Sequence, residues 1–302
     1  MPYPFRAYPV YPDYPFTSRF ISLSGHRLHY IDEGRGPVVV LVHGNPTWSY
    51  YFRKAISLLM TTHRVIAVDH IGCGLSDKPQ SYPYTLGQHI DNLQGLLDHL
   101  RIDRYSLIGH DWGGAIGMGC AGRQPQRIDR IVMMNTAAFR STRIPLRIRV
   151  CRWPIVGPLV VRGLNGFAGA ARFMAVQKKM PDEVARAFLA PYDSWRNRVA
   201  VYQFVRDIPL QPGDRSYQAL VEVERGLDAL RDRQVPLMLV WGGKDFCFDE
   251  VFFREWCQRF PRAEWHFFAD GGHYILEDKF NEIAPLLARF FSEGATSGST
   301  VG

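Results

Sequence analysis

The sequence predicts an α/β fold, with a mostly parallel central sheet, helices on both faces and a helical cap inserted over one edge. Three observations predict it. Apolar runs of strand length alternate with helical patterns along most of the 302 residues. The alternation fails once, between about 136 and 230, where the chain reads as helical, proline-interrupted and rich in Arg and Trp. Polar or glycine-rich turns follow the strands, and such turns gather at one sheet edge, where open α/β sheets bind ligands.

The elements follow in order. "RFISLSGHRLHYIDEG" (19–34) is a hairpin signal, with two β-rich runs around Ser24-Gly25. "PVVVLVHG" (37–44) is apolar throughout, as expected of a strand covered on both faces. A helical pattern covers 48–60, a strand 63–70, and the turn "IGCGLS" follows. Residues 85–100 form a helix with Leu86, Ile90, Leu93, Leu96, Leu97 and Leu100 on one face. "RYSLIGH" (104–110) is a strand and 113–123 a helix; 130–135, 235–242 and 263–270 are further strands, and a closing helix covers 279–291. The expected division is a core of 1–138 and 231–292, a helical cap of 139–230, and a disordered tail of 293–302. The start, "MPYPFRAYPVYPDYPF", reads as an extended arm on the surface or on a neighbouring subunit.

Composition narrows the function classes. The five cysteines (Cys73, Cys120, Cys151, Cys247, Cys257) form no C-x-x-C pair and read as reduced, buried thiols. No run is long and apolar enough for a membrane span, and the first residues lack a signal-peptide pattern, so a cytoplasmic enzyme is expected. The formal charge is +7. Its local source is six arginines (140, 143, 147, 149, 152, 162) with no acid among them. No nucleic-acid motif accompanies them. The stretch reads as a solvated or subunit-contact face, with docking to an anionic surface or partner as the alternative.

Four segments end strands at the same edge: "HGNP" (43–46), "HDWGG" (110–114), "GGKDFCFD" (242–249) and "DGGHYILED" (270–278). Their order, nucleophile then acid then histidine, matches the α/β-hydrolase arrangement. Asp111 stands at the elbow where serine is common. A serine attacking a saturated carbon would give an ether, which activated water does not readily cleave. A carboxylate gives an ester, whose carbonyl water can attack. Asp111 therefore argues for displacement at an sp³ carbon, with His273 as general base and Asp245 as the orienting acid. Asp249, expected as a helix N-cap, and Asp270 are the alternative acids. Asn135 ends an earlier strand but offers no carboxylate. The Asn45 amide and Trp112 indole are expected to hold the departing anion, and the backbone N–H groups of the same two residues to form an oxyanion hole. This chemistry calls for no cofactor and no metal.

These motifs resemble the haloalkane dehalogenase family of α/β-hydrolases, on "HGNPTWSY", "DHIGCGLSDKP", "HDWGGAIG" and "GGHYILED", over about residues 16 to 292. Asp245 with Asn45 is similar to the branch called subfamily III. "NTAAF", "APYDSWRNR", "RDIPL" and "CFD" resemble the β-lactone decarboxylases of long-chain olefin biosynthesis. The resemblance implies a small apolar substrate, a homo-oligomer and association with other pathway enzymes. Both haloalkane hydrolysis and β-lactone conversion to alkene and CO₂ stay open, since a halide and a ring carboxylate both leave an sp³ carbon. Phe139, Trp153, Phe167, Phe173 and Phe204 are candidates for an apolar tunnel. An epoxide hydrolase would need two cap tyrosines, for which Tyr192, Tyr202 and Tyr217 are available.

Overall fold

The computed structural model describes residues 11–292. The expected disordered tail and the first ten residues of the expected arm lie outside them. Among the described residues, eight strands form one sheet in the order β1-β2-β4-β3-β5-β6-β7-β8. They are β1 (Arg19–Leu23), β2 (His26–Glu33), β3 (Val38–Val42), β4 (Arg64–Val68), β5 (Tyr105–His110), β6 (Ile128–Met134), β7 (Leu237–Gly242) and β8 (Glu264–Phe268). The first two pairings are antiparallel and the rest parallel. The central strands are buried along their lengths, with β5 and β7 buried at all positions. That burial is why they read as continuous apolar runs and do not alternate.

The helices are α1 (Arg53–Leu59), α2 (Leu86–His99), α3 (Trp112–Arg123), α4 (Leu146–Cys151), a single turn α5 (Val156–Pro158), α6 (Ala168–Met174), α7 (Asp182–Leu189), α8 (Val199–Arg206), α9 (Tyr217–Asp232), α10 (Glu250–Arg259), α11 (Ile275–Asp278) and α12 (Phe280–Ser292). The Thr85 side chain caps α2 by accepting from Gln88 N–H, and Asp249 caps α10 through Val251 N–H. Between β6 and β7 the described elements are all helical, from α4 to α9. Within that run α9 lies along α3, where Gly122 and Gly226 meet backbone to backbone and a Cβ on either would collide with the other chain segment.

Four sequence expectations need adjustment. The helical pattern over 48–60 divides into a 3₁₀ turn, Ser49–Phe52, and α1. Tyr14 and Phe16 of the arm pack into this chain's own core, and the Tyr14 hydroxyl meets Ser49 Oγ at 2.6 Å. Tyr14 packs its ring against Trp48 and Tyr50, and Phe16 packs edge-on against Tyr14. Of the five cysteines, Cys247 and Cys257 are only half-buried. Of the tunnel candidates, Trp153 and Phe173 are more than half exposed. Phe204 is buried, but it packs under Trp112 with ring centroids 5.3 Å apart and stays out of the cavity wall.

Candidate active site

Asp111 is the single residue between β5 and α3, and its backbone holds φ 53° and ψ −126°. That conformation is costly for a side-chain-bearing residue and survives only where the surroundings dictate it. Here they do. The Asp111 N–H donates to the Asn135 carbonyl at 3.2 Å, and Thr136 Oγ1 donates to the Asp111 carbonyl. On the next turn, any Cβ at Gly113 would strike the Val42 carbonyl, so only glycine lets α3 start this close to β3.

The same elbow orients the carboxylate. Oδ1 of Asp111 accepts the Asn45 N–H at 2.6 Å, and the carboxylate also accepts the backbone N–H of Trp112. Oδ2 faces His273 Nε2 at 3.7 Å. Burial pushes the Asp111 carboxyl above its ordinary value of 3.8, with Asp245 adding to the rise; His273 and the two N–H donors hold it back.

His273 follows β8, and its Nδ1 meets Asp245 Oδ2 at 2.7 Å. Asp245 follows β7. Its Oδ1 accepts the Cys247 N–H at 2.6 Å, and its Oδ2 also accepts Asn135 Nδ2 at 2.9 Å. With the carboxylate on Nδ1, the imidazole presents Nε2 to Asp111. Burial disfavours the charged imidazolium of His273, but Asp245 and then Asp111 outweigh it, and its pKa lies above the ordinary 6.5. Phe248 stacks over the ring, and the His273 carbonyl meets Nε2 of the buried His110. His110 is held well below the ordinary histidine range, chiefly by burial and then by His273, so it is neutral and donates.

All five residues singled out in the sequence thus meet at one sheet edge. Of the alternative acids, Asp249 caps α10 and Asp270 pairs with Lys279. One expectation changes in detail: Asn45 Nδ2 already donates to the Val201 carbonyl at 3.1 Å. Its amide therefore has one N–H left for a departing anion. The Trp112 indole is half-buried on the cavity wall.

Sequence reasoning missed Asn135 and Asp278. Asn135, set aside for lacking a carboxylate, bridges the site: its carbonyl holds the elbow N–H, its amide holds Asp245, and its Oδ1 accepts the Gly242 N–H at 2.8 Å. The available signal was a polar residue ending a strand next to β5. The buried Asp278 carboxylate accepts N–H groups of Gly272, Gln177 and Lys178, which ties the His273 loop to the chain after α6.

Asp111, Trp112 and His273 open into a cavity of about 330 Å³ whose wall is mostly apolar, including Phe139, Ile148, Phe167, Met174, Leu220 and Phe246. Tyr192, Tyr202 and Tyr217 are absent from that wall, and the Tyr192 hydroxyl donates to the Thr47 carbonyl. The arrangement can press a carboxylate oxygen onto a carbon of an apolar molecule, with neutral donors beside an anion that leaves it.

Known proteins share this framework. Residues 37–280 match the family model described as alpha/beta hydrolase fold. Over 95% of its length the chain is 45% identical to the cis-3-alkyl-4-alkyloxetan-2-one decarboxylase of Shewanella oneidensis, with 92% of that protein covered. Against the protein of the same name from Xanthomonas campestris pv. campestris it is 40% identical, over 93% of this chain and 98% of that one. The crystal structure of haloalkane dehalogenase DbeA from Bradyrhizobium elkani superposes with a TM-score of 0.84 at 26% identity, covering 92% of this chain and 98% of that one.

Proposed function

The chain belongs to the alpha/beta hydrolase fold family, and on that premise we propose that it is an aspartate-nucleophile enzyme that converts a cis-3,4-dialkyl β-lactone to an alkene and carbon dioxide. One observation carries the reading: the carboxylate of Asp111, fixed by two backbone N–H groups, faces an apolar cavity with His273 beside it. The likeness along the whole chain to two oxetan-2-one decarboxylases supports the substrate, since an oxetan-2-one is a β-lactone.

The roles follow from the geometry. Oδ2 of Asp111 attacks the ring carbon that bears the ring oxygen. The carbon–oxygen bond breaks, and its electrons pass to a free carboxylate still attached at the neighbouring carbon. The remaining Asn45 amide N–H and the Trp112 indole steady that anion, and His273, paired with Asp245, supplies positive charge nearby. The carbon–carboxylate bond then breaks. Its electrons form the double bond as the Asp111 carboxylate leaves with its own pair. Carbon dioxide departs, the enzyme is restored, and no water is consumed. Inversion at the attacked carbon followed by anti elimination gives a cis alkene from a cis lactone.

The neutral donors at Asn45 and Trp112 favour a second reading, haloalkane hydrolysis. Halide would leave the same carbon, and neutral His273 would then deprotonate water for attack on the Asp111 ester carbonyl. One assay separates them. The protein is offered a long-chain cis-β-lactone and 1-bromohexane side by side in ¹⁸O-water, with alkene, carbon dioxide and bromide measured. We expect alkene and carbon dioxide from the lactone, with no ¹⁸O entering Asp111. Bromide release without alkene would leave the dehalogenase reading standing alone.

A further inference from the structure

Six of the large apolar side chains exposed on this molecule fall in one segment of the chain. They are Leu146, Trp153, Ile155, Leu159, Leu164 and Phe173, with exposures from 54% to 80%. A seventh, Trp195, lies beside them against Gly163 and under the Arg162 guanidinium. Exposed apolar groups gathered this way mark an interaction surface. The same segment has no acid of its own: between Asp129 and Asp182 the sequence holds arginines and lysines but no aspartate or glutamate.

Some of that charge is already matched. Arg140, Arg143 and Arg152 pair with Glu224, Asp249 and Asp214 from other elements. Arg147, Arg149, Arg162 and Arg172 have no acidic partner among the described residues, and three of these lie over the rings of Phe246, Trp195 and Phe173. The surface is therefore apolar and cationic together, with tryptophan among its apolar members.

The cavity opens through it. Of the residues that line the cavity, those classed as exposed are Arg143, Arg147 and Gly166, all in this segment. Its inner side, through Ile148, Val160, Phe167 and Met174, is cavity wall.

We propose that this cap face docks on the surface of a membrane containing anionic lipid, with the cavity mouth turned toward the bilayer. Apolar side chains would enter the headgroup boundary while the arginines meet lipid phosphates, and long arginine stems suit that depth. An isologous contact between two copies of this face would set arginine against arginine, which is why the lipid surface is the better complement. Entry from the bilayer also spares a long-chain substrate a passage through water.

The test is co-sedimentation of the full-length protein with vesicles of phosphatidylcholine alone, and of phosphatidylcholine mixed with phosphatidylglycerol. The protein should pellet with the mixed vesicles, stay in solution with the neutral ones, and be released by added salt. A variant carrying Ile155→Glu and Leu164→Glu, both solvent-facing and outside the cavity wall, should lose roughly tenfold or more in vesicle affinity with an unchanged melting temperature. Wild type that ignores both vesicle types overturns the proposal, and so does a variant that pellets as wild type does. If instead gel filtration shows a wild-type oligomer that these substitutions dissociate, with no vesicle binding, the face is a contact between copies and the membrane assignment falls. Docking is read without turnover, so its outcome is separate from that of the assay above.

Discussion

At the residue scale the decisive group is the Asp111 carboxylate, and its chemistry cannot be borrowed by a similar side chain. Asp111→Ser keeps a small polar residue at the elbow but offers an alkoxide, whose ether with the attacked carbon has no easy exit. Turnover of either substrate should fall at least ~100-fold, about 3 kcal/mol of barrier, with the circular dichroism spectrum unchanged. A smaller loss would move the nucleophile elsewhere. The pKa directions make a second prediction. Haloalkane turnover needs Asp111 ionised to form the alkyl ester and His273 neutral to hydrolyse it. Because the His273 pKa is raised above 6.5, bromide turnover should climb with pH through a limb above that value. Decarboxylation asks no proton from water but uses the His273 charge beside the freed carboxylate, so alkene formation should lack that rising limb, fall at lower pH as Asp111 itself is protonated, and decline above 6.5 where His273 loses its proton. Coincident profiles for the two products would show that His273 acts as a base in both.

At the scale of elements, Asp278 joins two parts of the chain that the sheet does not. It ends α11 and gathers N–H groups from Gly272, Gln177 and Lys178 on one carboxylate. Asp278→Ala strands three backbone donors and should cost about 2 kcal/mol or more, read as a lower urea midpoint. Turnover should fall further than stability predicts, because the His273 loop is left tied to the cap chiefly by the Tyr274 N–H on the Ala175 carbonyl. The sequence makes the strands legible because burial on both faces leaves an unbroken apolar record, as in "VVVLV". It makes Asp111, Asp245 and His273 legible because each follows a strand in a fixed order. Asn135 and Asp278 left no such record. Each bonds backbone about a hundred residues away, and the one local sign, a polar residue at the end of a strand or helix, does not distinguish such a residue from a turn or a helix end. The exposure of Trp153 and Phe173 was hidden for a related reason: a bend between helices and the outer face of a short helix such as α6 carry apolar residues as readily as an inner face does.

For the molecule as a whole, stability should carry an uncommon dependence on pH through Asp207, where the C-terminal end of α8 meets α2 and the residue before α9. Its Oδ2 accepts Leu86 N–H and the Ser216 hydroxyl, while Oδ1 is buried without a partner. Burial raises its pKa from 3.8 to about 6. The folded value lies above the unfolded one, so the contribution to stability is full below pH 3.8 and lost as pH rises through about 6. Asp207→Asn should accordingly raise the melting temperature at pH 8, by up to roughly 3 kcal/mol of stability, and the gain should vanish by about pH 4. An equal gain at both values would mean that the Asp207 pKa is not raised by folding. The same view of the whole gives the Asp111 N–H a separate meaning. It is spent on the Asn135 carbonyl just past the paired ends of β5 and β6, so it is expected to meet solvent only when those strands part. In heavy water it should be among the last amides to take up deuterium, exchanging at the rate of global unfolding, while those of α6 exchange through smaller openings. The proposed nucleophile would then be a gauge of the entire fold: conditions gentle enough to loosen the cap should leave its aim untouched, and by the time its aim fails there should be no native molecule left.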